Sequence, residues 1–151
     1  MSGDSGLGHG RTVGGTVHVG VSPEVAFDYL VDPAHRPAWQ SSLASVTDIE
    51  GEPGLGQTWT DVTKPGLRPA MRTTAFDRPG LWAEDGVWKA VRASLELRFT
   101  PCAEGCAIGY RFRITGRGPL AFAGWAASFG ALPAVRADLR RAARILEGRE
   151  S

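Results

Sequence analysis

An α+β domain, in which an antiparallel sheet of about seven strands curls around one long C-terminal helix, is the fold class that this sequence predicts. Three observations lead there. Val91, Ala93, Leu95, Leu97 and Phe99 alternate with Arg92, Ser94, Glu96, Arg98 and Thr100, and Ile108, Tyr110, Phe112 and Ile114 alternate with Gly109, Arg111, Arg113 and Thr115. Such alternation, apolar on one side and charged on the other, marks antiparallel strands with one face in water; a parallel sheet covered on both faces has no polar side. Between residues 46 and 84, four shorter strand-like runs are separated by Gly and Pro clusters, the punctuation of a β-meander. Leu132, Val135, Leu139, Ala142 and Leu146 then fall at spacings of three and four with arginines around the back, the stripe of an amphipathic helix.

The elements follow in order. Val17, Val19 and Val21 share one face of a first strand over residues 16–21. Ser22 is a fitting N-cap and Pro23 a fitting first helical residue, so a helix opens there and closes at Asp32-Pro33. A short helical turn follows, from Ala34 towards Trp39. Strands are expected over residues 46–49, 57–62, 71–76 and 81–84, ending at Pro53-Gly54, Pro65-Gly66 and Pro79-Gly80 and then at the long hairpin. Pro119 opens a helix running to about Glu147, bent at Pro133. A tail over residues 1–12, one domain over 13–147 and a short tail over 148–151 complete the organisation. A twisted sheet of this size curls, and the long helix alone is able to cover its concave apolar side.

Composition excludes several classes. A chain of 151 residues suits one domain and buries roughly 70% of its unfolded surface. Seventeen basic against sixteen acidic residues give a net charge of +1, which is no field for nucleic acid. The cluster Arg136, Arg140, Arg141 and Arg144 reads as the wet face of a helix. No run approaches the ~20 apolar residues of a membrane span, and the Gly- and Ser-rich start lacks a signal-peptide core, so the expected compartment is the cytoplasm. Cys102 and Cys106 are spaced C-x3-C with no second pair, which reads as two free thiols at a turn rather than a zinc site.

Certain residues within this order carry a family likeness. Ser22-Pro23-Glu24-Val25-Ala26-Phe27 opens the first helix, Asp32-Pro33 closes it, Pro37-Ala38-Trp39 follows, and Gly54-Leu55-Gly56-Gln57-Thr58-Trp59 enters the third strand. Over residues 14–147 the chain resembles the START-like (SRPBCC) superfamily, in particular its polyketide cyclase/dehydrase branch. The resemblance implies a helix-grip fold with a cavity between sheet and long helix. It also implies carriage of an apolar guest (a polyketide, lipid or sterol), or a cyclase, aromatase or dehydratase acting on a bound chain. It transfers architecture more than chemistry, since one fold serves many functions.

The candidate ligand-binding residues are Trp39, Trp59, Trp82, Leu97, Tyr110, Phe112, Trp125 and Phe129. Five tryptophans are a generous supply, and each offers large contact area at low entropy cost, either to a core or to a pocket wall. Tyr110 is the one phenol on the apolar side of the hairpin, where protein, water or a ligand carbonyl must meet its hydroxyl. His35 sits where the resembled fold places a cavity entrance, and no two of His9, His18 and His35 are spaced as metal ligands. There is no G-x-S-x-G elbow and no phosphate loop, and Asp61, Glu84, Asp85 and Glu96 are scattered along the chain. Arg72 alternates with Met71 and Thr73, and alternation does not settle which set faces inward. No metal or cofactor is expected, and the partner is an apolar small molecule held by a monomer or homodimer.

Overall fold

A computed structural model describes residues 11–116 and 134–150. Seven strands form one sheet, β1 (Arg11–Val19), β2 (Leu43–Glu50), β3 (Thr58–Thr63), β4 (Ala70–Asp77), β5 (Leu81–Trp88), β6 (Val91–Cys102) and β7 (Gly105–Gly116). Their spatial order is β1-β7-β6-β5-β4-β3-β2, and every neighbouring pair is antiparallel. The chain thus places β1 and β2 at opposite edges. It crosses between them through α1 (Pro23–Leu30), a 3-10 turn (Pro33–His35) and α2 (Arg36–Trp39). The C-terminal helix, α3, spans Ala134–Glu150.

Local chemistry accounts for these boundaries. The Ser22 hydroxyl accepts from the Val25 amide with Pro23 at the first helical position, and Asp32 caps the 3-10 turn by accepting from the Ala34 amide at 3.0 Å. Gly105, at φ +144°, turns the β6–β7 hairpin against the end of β1. A Cβ there would lie 2.7 Å from backbone atoms of Val19 and Val21. β1 begins at Arg11, before the expected residue 16, and ends at Val19, short of Val21, and β5 runs on past residue 84, because pairing with β7 and β6, not the apolar run, sets their bounds.

The inner face is continuous from strand to strand. Val17 and Val19, Ile108, Tyr110 and Phe112, Leu95, Leu97 and Phe99, Trp82, Met71 and Trp59 are buried there. Phe27 of α1 meets Phe76 and Phe99 edge to face, with ring centroids 5.1 and 5.3 Å away. Leu139, Ala142 and Leu146 turn the buried stripe of α3 towards β1, α1 and α2, while Arg140, Arg141 and Arg144 are exposed. Strict alternation in β4 would put Phe76 with Arg72 and Thr74 on one face. A register shift between Thr73 and Ala75 breaks that pattern. Met71 and Thr73 face inward before it, and Phe76 faces inward after it, opposite Trp82.

The helix expected from Pro119, its bend at Pro133, and the bulky residues Leu120, Phe122, Trp125, Phe129 and Leu132 lie outside the described residues. Among the described residues, no helix is long and apolar enough to cross a membrane.

Candidate functional site

Alternation on two strands brings a carboxylate inside beside each of two indoles. On β3, Trp59 and Asp61 share the inner face; on β5, Trp82 and Glu84 do. Thr73 of β4 stands opposite Glu84 in the ladder and is 1% exposed. The short α2 starts at Arg36, whose side chain points inward, and Trp39 follows one turn later on the same side. Residues 36, 61 and 84, far apart in the chain, therefore meet beneath the sheet.

The meeting point is Arg36. Its guanidinium donates to Asp61 through Nε (3.0 Å to Oδ1) and Nη2 (2.8 Å to Oδ2), a two-pronged pair. Nη1 donates to Glu84 Oε1 at 2.7 Å; Nη2 makes longer contacts to Glu84 Oε2 (3.3 Å) and to the Gln40 side-chain oxygen (3.4 Å). The Trp59 ring lies against the same guanidinium, 5.1 Å from centroid to Cζ, and its N–H donates to Asp61 Oδ1 at 2.9 Å. Arg36 and Asp61 are 1% and 0% exposed. Burial alone would lower the Arg36 pKa, but the Asp61 and Glu84 carboxylates outweigh it and hold the charge in place.

Two carboxyls share this one cation, so one negative charge is in excess if both ionise. Glu84 bears the consequence. Burial pushes its pKa up to about 7 against the pull of Arg36, and the nearby Asp61 adds to the rise. The Trp39 and Trp82 indole nitrogens, the Thr73 hydroxyl and the Gln57 side-chain oxygen are buried with no hydrogen-bond partner among the described residues, three groups able to donate against one acceptor. Bare buried donors cost about 1–3 kcal/mol each, so this face is chemically suited to a guest that brings acceptor oxygens.

The candidate residues fall as follows. Trp39, Trp59, Trp82, Leu97, Tyr110 and Phe112 are all buried at the inner face of the sheet or on α2 beneath it. Trp125 and Phe129 lie outside the described residues. Leu97 pairs across the ladder with both Trp82 and Tyr110, so these three form one row over β5, β6 and β7. The Tyr110 ring continues the row over Gly15 of β1, where a Cβ would come within 2.7 Å of the phenol oxygen.

Other candidates sit elsewhere. Arg72 is on the outer face, so it offers no inward anion anchor. It lines an open groove of about 780 Å³ with Asp48, Glu50, Asp85 and Arg92, a surface of mixed charge. His35 is turned away from the sheet: its ring stacks on Tyr29 at 4.4 Å and Nδ1 donates to the Tyr29 carbonyl at 2.8 Å. It borders a recess of about 280 Å³ with Val25, Tyr29 and Leu146, while Arg36, the next residue, points in. Cys102 and Cys106 are free thiols; burial pushes Cys106 up to about 11, which keeps it protonated and unreactive. The carboxylates Asp61 and Glu84, scattered in sequence, are the residues that alternation alone left unassembled.

Known proteins share this architecture. Residues 11–149 match the family described as polyketide cyclase / dehydrase and lipid transport. No curated protein matches the chain. Among solved structures, the di-domain ARO/CYC StfQ from the steffimycin biosynthetic pathway is similar with a TM-score of 0.72 at 16% identity, over 93% of this chain and 52% of StfQ. A norcoclaurine synthase point mutant from Thalictrum flavum, in complex with a transition state analogue, is similar with a TM-score of 0.70 at 12% identity, over 95% and 98%. Ara h 8.0201 gives 0.67 at 13% identity, over 93% and 99%. At such identities the likeness is one of fold.

Proposed function

Because the chain belongs to the polyketide cyclase / dehydrase and lipid transport family of the START-like superfamily, we propose that it binds a hydrophobic or aromatic small molecule, polyketide-, lipid- or sterol-like, between its sheet and C-terminal helix. One observation carries this reading: the inner face gathers Trp39, Trp59, Trp82, Leu97, Tyr110 and Phe112, and two of the indole N–H groups lack partners among the described residues. Flat apolar walls supply contact area, and a few unpaired donors orient a guest. In this reading Trp125 and Phe129 complete the wall. The protein acts in the cytoplasm as a monomer or homodimer, with no cofactor. Thermal unfolding against a panel of polyketides, sterols and fatty acids tests it. A guest at 100 times its dissociation constant adds about 2.7 kcal/mol. No response from any member, or an undiminished response in Trp82→Phe and Tyr110→Leu variants, counts against it.

The Glu84 carboxyl, poised near neutrality among buried donors, favours a second reading, a cyclase, aromatase or dehydratase. Glu84 would take a proton from a carbon beside a carbonyl and return it to a departing hydroxyl, which leaves as water. Product distributions from a poly-β-keto chain with and without the protein decide this; identical distributions remove it.

A further inference from the structure

We propose that Glu84 is the specificity-determining group of this site: in its neutral form it donates a hydrogen bond to a carbonyl oxygen of the guest, so that the pocket selects uncharged aromatic ketones over the corresponding hydrocarbons. The inference rests on the reading that the inner face holds an apolar guest, and it adds which polar atom that guest must carry.

The geometry supports it in three ways. First, the prongs of Arg36 are taken by Asp61 and Glu84, so the guanidinium is not available as an anchor for an anionic guest. Second, the two Glu84 oxygens differ: Oε1 accepts at 2.7 Å, whereas Oε2 has only the 3.3 Å contact and retains capacity to carry a proton outward. Third, polar groups without a partner among the described residues stand at related positions of the fold. Thr73 stands opposite Glu84 across the β4–β5 ladder, Trp82 lies two residues away on the same face, and Trp39 is one turn from Arg36. Indole N–H groups donate only, so the guest atom they suit is an acceptor.

The groups facing Glu84 set when it can donate. Arg36 and the neutral Gln40 approach from α2, Asp61 from β3 and Thr73 from β4; the partner on β6 is the apolar Leu95. Asp85 points to the opposite face, where it pairs with Arg92 and Ser94, and its charge adds the smallest share to the rise at Glu84. Burial raises Glu84 to about 7 with Asp61 adding to the rise, so the proton is held below neutrality and lost above it. An ionised Glu84 accepts instead of donating and repels a carbonyl oxygen.

The test compares 9-fluorenone with fluorene, one ring frame with and without a carbonyl, neither of which titrates. Dissociation constants are taken from tryptophan quenching at pH 5.5 and 8.5 for the wild type and Glu84→Gln. In the wild type, fluorenone is expected to bind about tenfold more tightly than fluorene at pH 5.5, the worth of one buried hydrogen bond, and the preference is expected to shrink severalfold at pH 8.5, where only the non-titrating indole and hydroxyl donors remain. Glu84→Gln, whose amide donates at any pH, is expected to keep the preference at both. A wild-type preference that does not change with pH overturns the inference, and so does one that changes equally in Glu84→Gln. Fluorene and fluorenone binding equally at pH 5.5 overturns it while leaving the pocket standing; neither compound binding at either pH removes the pocket and the inference together. The wild-type comparison stands even if the variant fails to fold.

Discussion

The indole of Trp59 and the carboxylate of Asp61, two residues apart on β3, lie on the same side of the strand and are joined by a 2.9 Å N–H···O bond. The same carboxylate takes two prongs of Arg36, so one aromatic wall residue is tied into a buried ionic cluster that also fixes α2 against β3 and β5. The apolar and charged parts of the inner face are therefore one structure, and disturbing the cation disturbs the wall.

Arg36→Met is expected to cost about 3–5 kcal/mol, since it strands two buried carboxyls without their cation. Arg36→Lys restores the charge but not the two-pronged geometry and should recover only part of the loss. Arg36→Met combined with Asp61→Asn and Glu84→Gln should be more stable than Arg36→Met alone, because no bare charge remains. Urea unfolding midpoints check the order. A single Arg36→Met variant as stable as the wild type would mean the cluster contributes nothing to holding α2.

Much of this fold is visible in the chain itself, and the reason is local. The β6–β7 hairpin announces itself through nine inward positions in strict alternation, and Ser22-Pro23 marks the start of α1, because pleat and capping are decided by near neighbours. The ionic cluster is different in kind. Arg36 is separated from Asp61 by 25 residues and from Glu84 by 48, and only the assembled sheet brings them together. A signal did exist: once Trp59 and Trp82 are placed inward, Asp61 and Glu84 must follow them, being two residues further along the same strands. The turn of β4 at its register shift had no such signal, since Thr74 and Ala75 read as ordinary strand.

Stability should fall as the pH rises through Glu84. Its pKa is raised from 4.5 to about 7 on folding, so the folded chain binds the proton more tightly than the unfolded one. The resulting stabilisation is complete below 4.5 and disappears as the pH approaches and passes 7. Asp28, lowered chiefly by its hydrogen bond from Arg78, acts with the opposite sign and below this window. Measured as wild type minus Glu84→Gln, the unfolding free energy should decline from pH 4.5 to 7.5, with a slope at most that of one proton, about 1.4 kcal/mol per pH unit. A flat difference would show that Glu84 is ionised throughout.

Gly15→Ala should destabilise by about 1–3 kcal/mol through a collision, since the added Cβ would sit 2.7 Å from the Tyr110 oxygen and 2.9 Å from Cζ. Tyr110→Leu removes the obstacle, so the two changes should couple: Gly15→Ala should cost clearly less in a Tyr110→Leu background. Equal costs in both backgrounds would show that the phenol does not rest on Gly15.

Asp138 should matter more to the C-terminal helix than its other polar ties do. The Asp138 carboxylate accepts from the Ser41 amide at 3.2 Å and from the Ser41 hydroxyl at 2.9 Å, joining α3 to the segment between α2 and β2. Asp138 is 8% exposed, whereas the bonds from Gly20 to Glu147 (2.8 Å) and from Arg136 to the Thr16 carbonyl (3.0 Å) lie in water. Water replaces a lost partner cheaply at the surface and poorly inside. Asp138→Ala is therefore expected to cost about 1–3 kcal/mol and Glu147→Ala less than about 1, with Asp138→Asn intermediate because its carbonyl oxygen still accepts from Ser41 but without the carboxylate charge. Hydrogen exchange should quicken along α3 in Asp138→Ala, because the helix has then lost its half-buried tether to Ser41. If Glu147→Ala loosens α3 as much as Asp138→Ala, burial is not what gives the Ser41 contact its strength.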